Sequence, residues 1–138
     1  REQLKKNLNI DIELKAQELQ ANYSSRHAGD FDLCRMNWTA DFADPYTYLS
    51  MLLSNSTYNC SGIHDEEYDA IVEASGSEQD PAARSVLLHQ AEQRAVGEQF
   101  YIIPLYAMKS VNLVNPEITG LRQIPASGAL EYRYADIG

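Results

Sequence analysis

The sequence predicts an α/β fold, and three observations predict it. Helix-period and strand-period stretches alternate over the first 35 residues. Two Asp-Pro pairs, Asp44-Pro45 and Asp80-Pro81, each precede a helix-period apolar stripe. Beyond Gly97 the apolar pattern changes to the alternation of β-structure. Alternating helices and strands build side-by-side strands covered by helices.

In order along the chain, Leu4 and Leu8 lie one helical turn apart, so a helix is expected to end near Asn9. Ile10, Ile12 and Leu14 alternate with Asp11, Glu13 and Lys15, the period of a half-buried strand. Gln17 to His27 reads as a helix closed by Gly29, and Phe31 with Leu33 opens a second strand. At Asp44-Pro45 the acid is the expected N-cap and the proline the first helical residue. Tyr48, Leu49, Leu52 and Leu53 supply the apolar face of that helix.

Asn55 to Gly62 is a polar loop. Asp65 is expected to cap a helix that buries Tyr68, Ile71, Val72 and Ser75 and is closed by Gly76. Asp80-Pro81 starts another, with Leu87, Leu88, Ala91 and Ala95 inward, fading near Gly97. Phe100 to Met108 reads as a strand interrupted by Pro104, and Val111 with Leu113 as another. Asn115 to Ser127 is mostly loop, and Leu130, Tyr132 and Tyr134 form a short final strand. No repeat or linker divides the chain, so 1–138 is expected to be a single domain.

The formal net charge of -9 argues against nucleic acid as a partner and against an anionic membrane surface. No apolar run approaches the roughly 20 residues of a membrane-spanning helix. Arg1 opens directly into a charged helical pattern with no signal-peptide character. Cys34 and Cys60 leave one possible disulfide, which sequence alone neither makes nor excludes. The N-x-S/T triplets at Asn22, Asn37, Asn55 and Asn59 would suggest glycans in a secreted eukaryotic protein, and are otherwise the chance yield of an Asn-, Ser- and Thr-rich chain.

Catalytic chemistry finds little support. His27, His64 and His89 lack metal-ligand spacing, and there is no CxxC, HExxH, G-x-S-x-G elbow or Gly-rich phosphate loop. No cofactor and no metal are expected. Asp41 and Asp44 are three residues apart, a spacing that a hydrolase could use as an acid and base pair. The simpler division makes Asp44 a helix cap and leaves Asp41 beside Trp38, the only tryptophan. A carboxylate next to an aromatic face suits an ammonium group, through charge-assisted hydrogen bonding and cation–π attraction. Arg35 lies six residues earlier. At about 3.3 Å per residue the two side chains can stand up to about 20 Å apart, against about 10–17 Å for a peptide of three to five residues. The guanidinium fork of Arg35 suits a carboxylate. Arg26 and His27 form a second basic cluster. A core tryptophan and ordinary surface arginines are the favoured explanation of the same residues at this level.

The stretch Ser25-Arg26-His27-Ala28-Gly29-Asp30-Phe31-Asp32-Leu33, followed by Arg35-Met36-Asn37-Trp38-Thr39-Ala40-Asp41-Phe42-Ala43-Asp44-Pro45, resembles the oligopeptide-binding proteins among the family 5 extracellular solute-binding proteins. Tyr48-Leu49, Leu52 to Ser56, Tyr68-Asp69 with Ile71, Ala91-Glu92 and Ile103 to Tyr106 extend the likeness over nearly all of the chain. The resemblance implies the C-terminal part of a periplasmic-binding-protein-like (type II) lobe, a mixed sheet flanked by helices, within a larger two-lobe receptor. It implies a non-enzymatic component of a peptide ABC transporter, periplasmic or anchored outside the membrane, with short peptides and a membrane permease as partners.

Residue by residue, the resemblance makes Asp41 the partner of a peptide α-ammonium and Trp38 the wall of a side-chain pocket. It makes Arg35 and Arg26 contacts for ligand carboxylates. Backbone around Asn37 and Thr39 pairs with peptide in the manner of an added strand. Leu19 and Met108 depart from the aromatic residues of the best-known oligopeptide binders, and Thr39 stands where some relatives carry a disulfide cysteine. Those departures bear on which peptide is preferred. Relatives that bind dipeptides, cell-wall peptides, nickel complexes or sugars keep alternative ligands open, as Asp41/Asp44 keeps a small hydrolase open. Half a cleft exposed to solvent implies weak peptide binding and self-association by the isolated chain.

Overall fold

Asp, Asn and Gly set the helix ends, and the structure, a computed structural model, places them close to the positions the sequence indicates. It describes residues 1–125 and 127–137; Ala126, inside the expected 115–127 loop, and Gly138 lie outside the described residues. The chain divides into two compact units, Arg1–Cys34 and Arg35–Gly138.

The first unit holds α1 (Glu2–Leu8) and α2 (Leu19–Ala28). Asn9 closes α1 in the left-handed conformation at φ 54°, with its N–H on Lys5 O and that of Ile10 on Leu4 O. Gly29 closes α2 at φ 71°, with Gly29 N–H on Arg26 O and Asp30 N–H on Ser25 O. Both are the paired bonds that satisfy the last helical carbonyls. Neither helix contains a buried residue. The strands expected at Ile10–Leu14 and at Phe31 with Leu33 are not formed. Period-two alternation describes one face of a strand, but a strand also needs a neighbour for its N–H and C=O groups. No described segment pairs with either stretch.

The second unit is built on α3 (Tyr46–Leu49), a 3₁₀ turn (Ser50–Leu52), α4 (Glu66–Ser77) and α5 (Pro81–Glu92), the last continuing as a π turn (Gln93–Glu98). Leu49, Leu52, Leu53, Ile63, Tyr68, Val72, Leu88, Ala91 and Ala95 form one core, with Ile71 and Tyr101 packed against it. Full burial of each larger side chain contributes about 1.5–3 kcal/mol. Tyr68 is 0% exposed and its hydroxyl donates to Leu49 O at 2.7 Å, which ties α4 to α3. Tyr48 is the one expected member of the α3 stripe that faces solvent.

Asp65 caps α4, accepting from Glu67 N at 3.2 Å and Tyr68 N at 3.1 Å. It also receives Arg94 Nε at 2.6 Å and the Tyr101 hydroxyl at 2.6 Å. The Arg94 guanidinium, with the Tyr101 hydroxyl and the Tyr68 backbone, holds the Asp65 carboxyl far below the ordinary carboxylate range against the opposing pull of burial. Asp80 caps α5 through Ala82 N and Ala83 N, and Pro81 occupies the first turn. Gly76 does not close α4, which runs to Ser77. Its role is steric: a Cβ there would stand 3.3 Å from Cε2 of Tyr46.

Beyond α5 the strands are short. β1 (Ile118–Thr119) pairs antiparallel with β4 (Asp136–Ile137), in the register Ile118↔Ile137. β2 (Arg122–Gln123) pairs with β3 (Leu130–Glu131), in the register Arg122↔Glu131. Gly120 is required there, since at φ 73° a Cβ would stand 1.7 Å from Tyr134 O. The expected final strand therefore pairs only at Leu130–Glu131, and the expected loop contributes β1 and β2. The strands expected over Phe100–Met108 and at Val111 with Leu113 are not formed. Leu105, Val111 and Leu113 are exposed, Leu113 fully at 100%.

Candidate functional site

The candidate site residues Arg35, Asn37, Trp38, Thr39 and Asp41 fall in a stretch of the second unit that is neither helix nor strand. A tight turn ends it, with Asp44 N–H donating to Phe42 O at 2.8 Å. The turn is anchored from behind. Tyr46 N–H donates to Asp44 Oδ1 at 2.9 Å, and Thr47 N–H to Asp44 O at 3.2 Å. Asp44 thus starts α3 as expected, although Pro45 occupies the cap position rather than the first helical one.

Arg84, on α5, completes the anchor. Its Nη1 and Nη2 donate to Asp44 Oδ2 at 2.7 Å and Oδ1 at 2.9 Å, and its Nε donates to Ser75 O at 2.9 Å. This bidentate pairing holds the Asp44 carboxyl below its ordinary range, helped by the Tyr46 N–H and opposed by burial. Both Asp44 oxygens are therefore engaged in structure. That geometry disfavours the Asp41/Asp44 acid–base pair, which needs carboxyls able to exchange protons with a substrate.

Asp41 is exposed, while Thr47 behind it is only 3% exposed. The Thr47 hydroxyl accepts from Asp41 N at 3.2 Å and donates to Asp41 Oδ2 at 3.4 Å. Asp41 and Trp38 both line a cavity of about 370 Å³, together with Phe42, Thr47, Met51 and Tyr58. Trp38 meets Tyr58 edge to face, with centroids 4.6 Å apart and planes at 69°. Such pairs contribute about 0.5–1.5 kcal/mol beyond area burial. The indole N–H of Trp38 is buried with no acceptor among the described residues.

Arg35 Nη2 donates to the Tyr106 hydroxyl at 3.5 Å. Asn37 and Thr39 are exposed. Arg26 belongs to the first unit, on the last turn of α2, where its guanidinium carbon lies 5.7 Å from the centroid of the Tyr23 ring. The structure therefore brings Asp41 and Trp38 to one cavity and places Arg26 in another compact unit. A larger groove of about 810 Å³, lined by Ile71, Ala74, Leu87, Gln90 and Arg94 among others, contains none of the candidate residues.

Sequence reasoning missed Thr47, Tyr58 and Arg84. Thr47 had a readable signal: it sits in the first turn of the helix that Asp44 starts, six residues after Asp41. Arg84 lies forty residues from its partner, and no local pattern marks it.

Comparison with known proteins shows what the chain is similar to. Residues 1–60 match the family model of bacterial extracellular solute-binding proteins, family 5 Middle. The chain is 33% identical over 116 residues to the periplasmic murein peptide-binding protein MppA of Escherichia coli K12, covering 84% of this chain and 21% of that one. It is 29% identical over 135 residues to the dipeptide-binding protein DppE of Bacillus subtilis 168, covering 98% of this chain and 24% of that one. It therefore spans about a fifth to a quarter of the length of these curated relatives. Among solved structures, the substrate-binding domain of an oligopeptide ABC transporter from Bacillus anthracis Ames matches with a TM-score of 0.79 and 28% identity, over 99% of this chain and 27% of that one. The pheromone receptor PrgZ matches at 20% identity with a TM-score of 0.78, a likeness of fold. Residues 1–60 carry the match to the family 5 bacterial extracellular solute-binding proteins, and over nearly its whole length the chain is similar in sequence and fold to a segment of their type II binding-protein lobe.

Proposed function

We propose that residues 1–138 are part of the C-terminal peptide-binding lobe of an ABC-transporter solute-binding protein. The receptor captures short peptides outside the membrane, in the periplasm or anchored at the cell surface, and presents them to a permease. It performs no chemistry on them.

One observation carries the reading: an exposed carboxylate and an indole share a cavity, Asp41 with Trp38. Asp41 takes the α-ammonium of the peptide. Trp38 provides apolar wall for a ligand side chain. Arg35 and Arg26 meet carboxylates, and the backbone at Asn37 and Thr39 pairs with the peptide chain. Murein peptide-binding, oligopeptide-binding and dipeptide-binding relatives support the ligand class. The role of each residue rests on the motifs Ser25 to Leu33 and Arg35 to Pro45 and on the geometry above.

Lobe closure in the whole receptor would dehydrate the ammonium–carboxylate pair and so strengthen it. In that receptor, Asp41→Ala is expected to weaken peptide binding by about 2–5 kcal/mol, the cost of leaving a buried charge unpaired. Isothermal calorimetry with short peptides checks this, and unchanged affinity would remove Asp41 from the site. The isolated chain is expected to bind the same peptides weakly and to self-associate through apolar surface such as Leu105, Val111 and Leu113.

A further inference from the structure

Thr47 stands directly behind Asp41, and its hydroxyl contacts Asp41 twice. It accepts from the Asp41 backbone N–H at 3.2 Å and donates to Oδ2 at 3.4 Å. An exposed aspartate ordinarily samples several rotamers, and fixing one of them costs side-chain entropy. A donor on one carboxylate oxygen reduces that freedom before any ligand arrives. It also leaves Oδ1 as the less encumbered oxygen for an incoming donor, since a carboxylate can accept at both oxygens.

The hydroxyl can do this only because it is itself held still. Thr47 is 3% exposed and sits in the first turn of α3, with its N–H on Asp44 O. Asp44 is in turn gripped through both oxygens by Arg84, whose Nε is tied to Ser75 O of α4. A continuous series of hydrogen bonds therefore runs from the α4–α5 framework through α3 to the carboxylate. The branched Cβ of Thr47 further restricts χ1 within a helix.

We propose that Thr47 is the positioning residue for the Asp41 carboxylate, so that the receptor's preference for a free peptide amine depends on the Thr47 hydroxyl. This rests on Asp41 being the amine anchor. Hydrogen bonds to charged groups are the stronger class, and the pre-set rotamer spares the ligand the ordering cost.

The test uses the full receptor with trialanine and N-acetyl-trialanine, titrated by calorimetry against wild type, Thr47→Val, Thr47→Ser and Asp41→Asn. Thr47→Val keeps the shape and removes the hydroxyl. It is expected to weaken trialanine binding about threefold to tenfold, the scale of one long hydrogen bond to a charged group. Binding of the acetylated peptide is expected to stay within about twofold, because that ligand presents no ammonium to position. Thr47→Ser is expected to recover most of the loss. Should Thr47→Val fail to fold by circular dichroism, Thr47→Ala takes its place with the same expectations. Equal weakening of both peptides, or no rescue by serine, would reduce Thr47 to a packing residue and overturn the proposal. Wild-type trialanine affinity in Thr47→Val alongside a loss in Asp41→Asn would overturn it while leaving the anchor intact. Unchanged affinity in Asp41→Asn, or no binding of trialanine by wild type, would remove the anchor and the proposal together.

Discussion

Tyr46–Glu98 and the stretch from Gln99 to Val114 reach opposite outcomes, although the second is the richer in apolar residues. The first buries Leu49, Leu52, Tyr68, Val72 and Leu88 in one core. The second exposes Ile103, Leu105, Met108, Val111 and Leu113. The difference lies in where each finds partners. A helix satisfies its backbone internally and needs only a neighbour for one face, which α3, α4 and α5 supply to one another. A strand must find its hydrogen-bond partners elsewhere in the chain or in another chain. Apolar alternation thus predicts a strand's face without guaranteeing its pairing.

The largest test of this contrast is a pair of truncations. Leu88→Ala is expected to cost about 2–5 kcal/mol, because it opens a cavity in the core. Leu113→Ala is expected to change stability by less than about 0.5 kcal/mol, as an exposed position does. Urea denaturation of both variants checks the pair. A comparable loss at Leu113 would show that the 99–114 stretch is packed after all.

Tyr68→Phe comes next, at about 1–3 kcal/mol, since it leaves the buried Leu49 carbonyl without its donor while keeping the ring. The same denaturation series reads it. A neutral result would mean that the α3–α4 link is held by packing alone.

Acid sharpens the comparison further, because the helical region carries the two carboxylates, among the described residues, that are held below their ordinary range. Arg94 depresses the Asp65 carboxyl and Arg84 the Asp44 carboxyl. A depressed folded value means that the unfolded state binds protons first as pH falls. The stabilisation is complete above the unfolded value of about 3.9 and is lost as pH falls through the folded values. Thermal midpoints should therefore hold steady from neutral pH to about 5 and fall below about 4. Asp65→Asn keeps a capping side chain but removes the charge, so its midpoint should be lower at neutral pH and decline less on acidification. Parallel pH profiles for wild type and Asp65→Asn would contradict the assignment.

What was legible followed the same division. Asp65, Asp80-Pro81, Gly29 and the inward faces of α4 and α5 could be read because caps and helical periods are local. The candidate cluster around Trp38 and Asp41 could be read because its residues are consecutive and match a family pattern. Arg84 on Asp44 and Arg94 on Asp65 could not, since 40 and 29 residues separate the partners and no periodicity encodes the contact. The strands at Ile10–Leu14 and Phe100–Met108 were misread for a related reason. Their alternation is local, but the pairing that makes a strand is not.

The smallest effect separates the two capped helices. Asp80 accepts from Ala82 N and Ala83 N on an exposed helix end, with no ion pair to its side chain among the described residues. Asp80→Ala should therefore cost only a cap, about 1 kcal/mol, and Asp80→Ser should restore most of it. Asp65→Ala should cost more, because it removes a cap, leaves Arg94 only its more exposed partner Glu67, and takes the acceptor from the Tyr101 hydroxyl. Hydrogen exchange at the first turns of α4 and α5 resolves the two: Asp80→Ala should speed exchange at the start of α5 alone, and Asp65→Ala should loosen the core as far as Tyr101. Equal, purely local fraying in both variants would mean that the Asp65 network adds nothing to its cap, and that the helical region is held by local signals and apolar packing without it.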